Sequence, residues 1–300
     1  MIVGVPKEIK ANEKRVSLLP HLVSDITQLG HKVVVQKGAG LESGVLDSSY
    51  IEAGAKILDS IEDIYSHADL IVKVKEPLDS ELKLIRDSQI IFTFFHFAAD
   101  KNLLQKFINT NAIAVAYETV EDKKENLPLL TPMSEIAGRM AVQNGAKYLE
   151  GTHGGKGVLP SGVPGVSPAT VTIIGGGVVG LNSAKLAAGL GAKVNILDID
   201  MNRLRYLDDI MPSNVITYNS NTYNIANLLP KTDLLIGGVL VPGSTAPKII
   251  SKEMLTSMKP GSVAVDVAVD QGGCIETTRP TTHMNPIYEV DGIIHYCVAN

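Results

Sequence analysis

Thr170-Val171-Thr172-Ile173-Ile174-Gly175-Gly176-Gly177-Val178-Val179-Gly180 is the stretch that decides how the second half of this chain folds. An apolar, β-branched run stops directly at three glycines, and a helical pattern then continues to about Gly189. This is the GxGxxG spacing in the context it requires, strand then tight turn then helix start. Gly175 permits the turn, Gly177 lets the backbone approach a pyrophosphate, and Gly180 lets the helix lie close against the strand. Val178 and Val179 fill the two variable positions. Phosphates would rest at the helix N-terminus, where unpaired N–H groups and the helix dipole favour negative charge. The next predicted strand, 193–197, ends at Asp198. An acid there accepts hydrogen bonds from a ribose 2′-hydroxyl and repels a 2′-phosphate, so NAD is expected rather than NADP, with Asp200 as the alternative acid.

Outward from the fingerprint, strands and helices keep alternating. Strands are predicted over 170–174, 194–197, 215–218, 234–236 and 263–266, with a last one near 294–298. Upstream, strands over 2–5, 32–36, 70–74, 90–95 and 112–116 interleave with helices over 18–29, 61–67, 80–84 and 101–109. A longer helix over 134–150, with Ser134 as its cap, links the two halves. Such alternation predicts an α/β chain of two Rossmann-like, doubly wound parallel sheets with a cleft between them. The boundaries read as a substrate or catalytic domain over 1–128 and a nucleotide domain over 129–300.

Composition narrows the function classes. The 300 residues are 45% hydrophobic and 20% charged, enough to bury two cores. The net charge is −5, Trp is absent and the basic residues are scattered, which argues against nucleic acid and membrane surfaces as partners. Cys274 and Cys297 form neither a disulfide framework nor a zinc-ligand spacing, as expected in a reducing cytosol. The N-terminus lacks the apolar core of a signal peptide, and no apolar run is long enough to span a bilayer. A soluble cytoplasmic protein is expected.

Strands of such sheets present their carboxyl ends to the ligand. Arg15 follows the first strand, Lys75 the strand over 70–74, His96 the run IIFTFF, Glu118 the strand over 112–116, and Asp270 the strand over 263–266. Arg and Lys suit a small carboxylate, and His moves protons near neutral pH. Each also has a plainer use. Arg15 and Lys75 could be solvated charges, His96 a half-buried histidine between Phe95 and Phe97, Asp270 a turn cap before Gly272-Gly273, and Glu118 a loop acid.

The segments MIVGVPKEIKANEKRVSLLP, VKVKEP, FTFFHFAAD, LLTPMSEIAGRMAVQNGAKYLE, VTIIGGGVVGLNSAKLAAGLGA and DVAVDQGGCIETTRPTTH, in this order over nearly the whole chain, resemble the alanine dehydrogenase family. The alpha subunit of the proton-translocating transhydrogenase shares the fold and the opening motif, but FFHFAAD and GGVLVPG favour the dehydrogenase. The resemblance implies reversible, NAD-dependent oxidative deamination of L-alanine to pyruvate and ammonia. It implies that Arg15 and Lys75 bind the substrate, that Met133 lines its pocket, that His96 is the general acid/base and that Asp270 is the second catalytic residue. Cofactor contacts are implied at Ser134, Val178, Asp198, Arg203, Ser220, Val239, Leu240, Val267, Asp270, Arg279, Val298 and Asn300. Glu118 matches a position that holds a divalent ion such as Mg in some members. A homohexamer is implied, as is a segment beyond the position of Asn300 that returns to the first domain and is not among these 300 residues. The alternatives are an NAD-binding transhydrogenase subunit with a membrane partner, or a non-catalytic NAD-binding protein.

Overall fold

The structure, a computed structural model, describes residues 1–239 and 246–298, with backbone alone at Asp270. Leu240 and Asn300, two of the implied cofactor contacts, lie outside the described residues. Contacts divide the chain into two units, Met1–Leu129 and Leu130–Asn300.

The first unit carries β1 (Ile2–Val5), β2 (Lys32–Gln36), β3 (Lys56–Leu58), β4 (Leu70–Val72), β5 (Ile90–Thr93) and β6 (Ile113–Ala116). They form one sheet in the order β3-β2-β1-β4-β5-β6, with every pairing parallel. The inner strands β1, β2 and β4 are apolar on both faces because both faces are covered. Val33 and Val35 pack on one side with Val3, Val5 and Tyr50, while Val34 packs on the other with Ile64, Ile71 and Ile91. That is the period of two expected of a strand buried twice.

The second unit carries β7 (Thr170–Ile174), β8 (Lys193–Asp198), β9 (Val215–Asn219), β10 (Leu234–Gly237), β11 (Val263–Asp266), β12 (Ile287–Val290) and β13 (Ile293–Tyr296). Their order is β12-β13-β11-β10-β7-β8-β9, parallel except for the β12–β13 hairpin at the edge. Again two apolar layers flank the sheet, Val171 and Ile173 facing one and Ile174 the other. Both cysteines are buried here, and burial pushes both thiols up, that of Cys297 to about 12.

The differences from the sequence expectations have physical causes. Strands β4 and β5 end two residues early at Val72 and Thr93, although Val74 and Phe95 stay buried. The apolar pattern runs on because the turns beyond these strands are themselves interior. The linking helix is Thr131–Leu149, not 134–150, and Ser134 is not its cap. Pro132 starts the helix instead, in the first turn, where its missing N–H costs nothing. Strand β3 and the helix Asp47–Glu52 are too short to show a period in sequence. Strand β12 was overlooked although Asp291-Gly292, both at positive φ (51° and 79°), is a two-residue hairpin turn. Among the described residues no helix is long and apolar enough to cross a membrane.

Candidate active site

In an open parallel sheet the ligand crevice opens where the strand order reverses. In the first unit that point lies between β1 and β4. The loop after β1 supplies Glu8, Glu13 and Arg15; the turn after β4 supplies Lys75; the turn after β5 supplies His96. Arg15 donates from Nε and a terminal nitrogen to the Glu13 carboxylate at 2.8 and 2.6 Å. This pairing raises the Arg15 pKa, so the guanidinium stays charged. Burial alone would raise the Glu13 carboxyl, but Arg15 and the nearby charge of Lys75 hold it below the usual range. The structure therefore pairs Arg15 with Glu13 in the loop after β1, and places Lys75 in the turn after β4.

Beneath them lies a network that sequence reasoning missed. Lys73, Glu81 and Glu8 are all buried. Lys73 pairs with Glu81, and its Nζ lies 3.4 Å from Glu8 Oε2. Glu8 Oε1 accepts the Val74 N–H at 2.6 Å and the Lys75 N–H at 3.4 Å. These are the backbone amides that β4 no longer offers to a neighbouring strand. Burial raises the Glu8 pKa, and the Lys73 ammonium opposes that rise. The Lys75 carbonyl accepts from Thr93 Oγ1 at 2.8 Å, which ties this turn to β5.

His96 sits two residues past Phe94 with a left-handed backbone, φ +52°. Its N–H donates to Glu118 Oε1 at 2.7 Å, and the Phe95 N–H donates to Glu118 Oε2 at 3.3 Å. The ring stacks on Phe94 with centroids 5.9 Å apart, and Phe94 in turn meets Tyr117 edge-on at 4.9 Å. Glu118 is carried by the short turn Tyr117–Thr119 that follows β6. Among the described residues no group of three or more His, Cys, Asp or Glu side chains could hold a metal ion.

The second unit reverses its order between β7 and β10, and the glycine turn lies there. Gly175 adopts φ +99°, and a Cβ on it would come within 2.9 Å of the Gly238 carbonyl oxygen. A Cβ on Gly180 would collide with the Gly175 carbonyl oxygen, whereas one on Gly177 would meet nothing within 4 Å. The open space above Gly177 and the helix Val178–Gly189, whose N-cap Gly177 offers no side-chain cap, fit a dinucleotide pyrophosphate. Asp198 ends β8 and accepts the Gly176 N–H at 2.6 Å and the Asp200 N–H at 2.9 Å. Asp200 is the cap of the next helix, one of its oxygens accepting the Asn202 N–H at 2.8 Å. Arg203 donates to the carbonyls of Gly176 and Gly177 at 2.6 and 3.4 Å. The Ser220 N–H donates to the Asp198 carbonyl at 2.8 Å, and Val239 lies against Gly175. Asp198, Arg203, Ser220 and Val239 thus gather around the glycine turn.

Other predicted positions lie on other elements of the second unit. Arg279 lies over the Tyr288 ring at 4.5 Å, and Val298 forms a bridge with Thr281. Ser134 and the half-buried Met133 lie in the first turn of Thr131–Leu149, whose Gly138 approaches the Val179 carbonyl so closely that a Cβ would clash. Val267 and the Asp270 backbone belong to the turn Val267–Gln271 after β11. That turn hangs on buried Asp266, which accepts from Ala268 N–H, Ile275 N–H and Thr278 Oγ1 at 3.1, 3.1 and 2.7 Å.

Two family models match this chain in succession. The alanine dehydrogenase/PNT N-terminal domain covers residues 4–137 and the alanine dehydrogenase/PNT C-terminal domain residues 141–300. The chain belongs to the alanine dehydrogenase/PNT family. It is 56% identical to the alanine dehydrogenase of Methanococcus maripaludis over 301 residues, which is 100% of this chain and 81% of that protein. A solved structure titled L-alanine dehydrogenase superposes with a TM-score of 0.93 at 49% identity, covering 100% of this chain and 83% of that one. The transhydrogenase of Sinorhizobium meliloti superposes at 0.83 with 28% identity, covering 99% and 86%.

Within this family frame, the residues overlooked in sequence are the interior carboxylates Glu8, Glu81 and Asp266, together with Lys73. Sequence marks a charge near a strand end but not whether it points into the sheet. The one available hint was a Lys at Lys73 inside the apolar run LIVKV, since a lysine in a strand covered on both faces needs a buried partner.

Proposed function

We propose that this protein is an NAD-dependent L-alanine dehydrogenase that interconverts L-alanine with pyruvate and ammonia. The observation that carries the reading is the likeness over the whole chain to alanine dehydrogenases, at identities of 45–56%. The transhydrogenase reading rests on a likeness of half that identity. The glycine turn, the open face at Gly177 and Asp198 support NAD as the cofactor.

Arg15 and Lys75 hold the substrate carboxylate and carbonyl oxygen by charge-assisted hydrogen bonds, which fixes the α-carbon for reaction. When bound, NAD⁺ accepts the hydride that leaves that carbon. His96 takes a proton from the water that adds to the resulting iminium and returns one to the departing amine. Asp270 stabilises the cationic stage of the substrate. Met133 lines the pocket for the methyl group. The remaining implied contacts, including Val178, Val179, Val267, Arg279 and Val298, are assigned to the cofactor. A homohexamer in the cytoplasm completes the reading.

NADH formation from L-alanine and NAD⁺ at alkaline pH, followed at 340 nm, tests it. Turnover is expected with the full chain, and His96→Ala should abolish it while NAD still binds. NAD binding without turnover of alanine would overturn the reading, and turnover restored only by a membrane-bound partner would favour the transhydrogenase.

A further inference from the structure

Glu118 is the residue whose implied role and observed surroundings part company. A bound magnesium ion takes about six oxygen ligands in octahedral array, several of them usually water. Both Glu118 oxygens already accept backbone N–H groups, and among the described residues no three potential ligands come together. Both Glu118 oxygens are thus committed to the main chain of Phe95 and His96.

Those two bonds point to a task of their own. His96 holds a left-handed backbone, which costs a residue with a Cβ about 1 kcal/mol and persists only where neighbours enforce it. Three contacts do so. Glu118 accepts from the two successive N–H groups of Phe95 and His96, the His96 carbonyl accepts the Ala99 N–H at 2.9 Å, and the ring stacks on Phe94. The 2.7 Å bond to His96 has the length of a charge-assisted one. Strands β5 and β6 pair in register up to Thr93 and Ala116, so Glu118 and His96 each lie a short step past the same sheet edge. The carboxylate thereby sets the direction of the His96 Cα–Cβ bond from a rigid platform.

We propose that Glu118 is a positioning residue that orients His96 through its backbone rather than a metal ligand. This rests on the reading of His96 as the general acid/base.

The test is steady-state kinetics of the full chain with Glu118→Ala, Glu118→Gln, His96→Ala and the double variant Glu118→Ala/His96→Ala, each with EDTA or with added magnesium. Glu118→Ala should lower kcat by roughly 10- to 100-fold, the loss expected when charge-assisted hydrogen bonds to a reacting group's scaffold disappear. KM for pyruvate and the NAD dissociation constant should stay within about twofold, because a residue acting only through the His96 backbone alters the chemical step and not uniform binding. Glu118→Gln keeps one oxygen for the His96 N–H and should recover most of kcat, to within roughly fivefold of the parent. EDTA should leave the parent and Glu118→Gln unchanged. The double variant should be no slower than His96→Ala alone.

Inactivation of the parent by EDTA with recovery on magnesium, or a Glu118→Gln as impaired as Glu118→Ala, would overturn the proposal in favour of a metal role. Parent-like kcat in Glu118→Ala would overturn it outright. If Glu118→Ala does not fold, Glu118→Gln and the EDTA arm still decide. An active His96→Ala would sink the acid/base reading itself, a result distinct from an inactive His96→Ala beside a parent-like Glu118→Ala.

Discussion

The two units build their switch points from opposite materials. The second unit uses the main chain: glycines without side chains, a helix N-terminus, and carbonyls gripped by Arg203. The first unit uses side chains on turns, and each turn is pinned from inside by a carboxylate, Glu8 under Val74–Lys75 and Glu118 under Phe95–His96. A diphosphate is recognised by many small N–H dipoles, so removing side chains makes its site. A small substrate undergoing proton transfer needs a few groups at fixed angles, so its site needs turns that do not yield.

The most damaging way to break the comparison is to strip the cation from the buried network. Lys73→Met leaves Glu8 and Glu81 buried without their counter-charge, and urea unfolding should show a loss of about 3–5 kcal/mol. Retained stability would mean the two acids share protons and the pinning is neutral. Next comes the main-chain site. Gly180→Ala brings a methyl group against the Gly175 carbonyl and should cost about 1–3 kcal/mol while NAD binding, read by calorimetry, falls below detection. Undiminished binding would show that the helix can withdraw without harming the site. The smallest effect tests the exception, a carboxylate at the glycine turn. Asp198→Ala removes the acceptor for Gly176 N–H but leaves the glycines and Arg203, so NAD should bind about tenfold more weakly and discrimination against NADP should shrink. An unchanged ratio of the two cofactors would assign Asp198 to loop shape alone.

The same contrast explains what could be read in advance. Main-chain sites demand glycine at fixed spacing, and the 170–180 stretch announces its turn, its helix start and, through Asp198, its acid. The strands were legible because burial on both faces writes continuous apolar runs. The pinning carboxylates were not, because Glu8 reads as an ordinary charge in VPKEIK and Glu118 as a loop acid in YETV. Their work depends on backbone amides that strands β4 and β5 release by ending at Val72 and Thr93, and the apolar residues running past those ends disguise the point of release. Ser134 misled in the other direction. A serine before a helical pattern suits a cap, but Pro132 sets the start one turn earlier.

Cys274 and Cys297 lie wholly inside the second unit, and the chain's five phenylalanines, Phe92, Phe94, Phe95, Phe97 and Phe107, all lie in the first. Thiols buried and held protonated at neutral pH do not react with alkylating reagents until the sheet around them opens. The chain therefore carries a native clock for one half only. The rate at which the two sulfurs become labelled counts openings of the nucleotide unit, and its slowing on addition of dinucleotide would weigh the cofactor's grip without any reference to turnover.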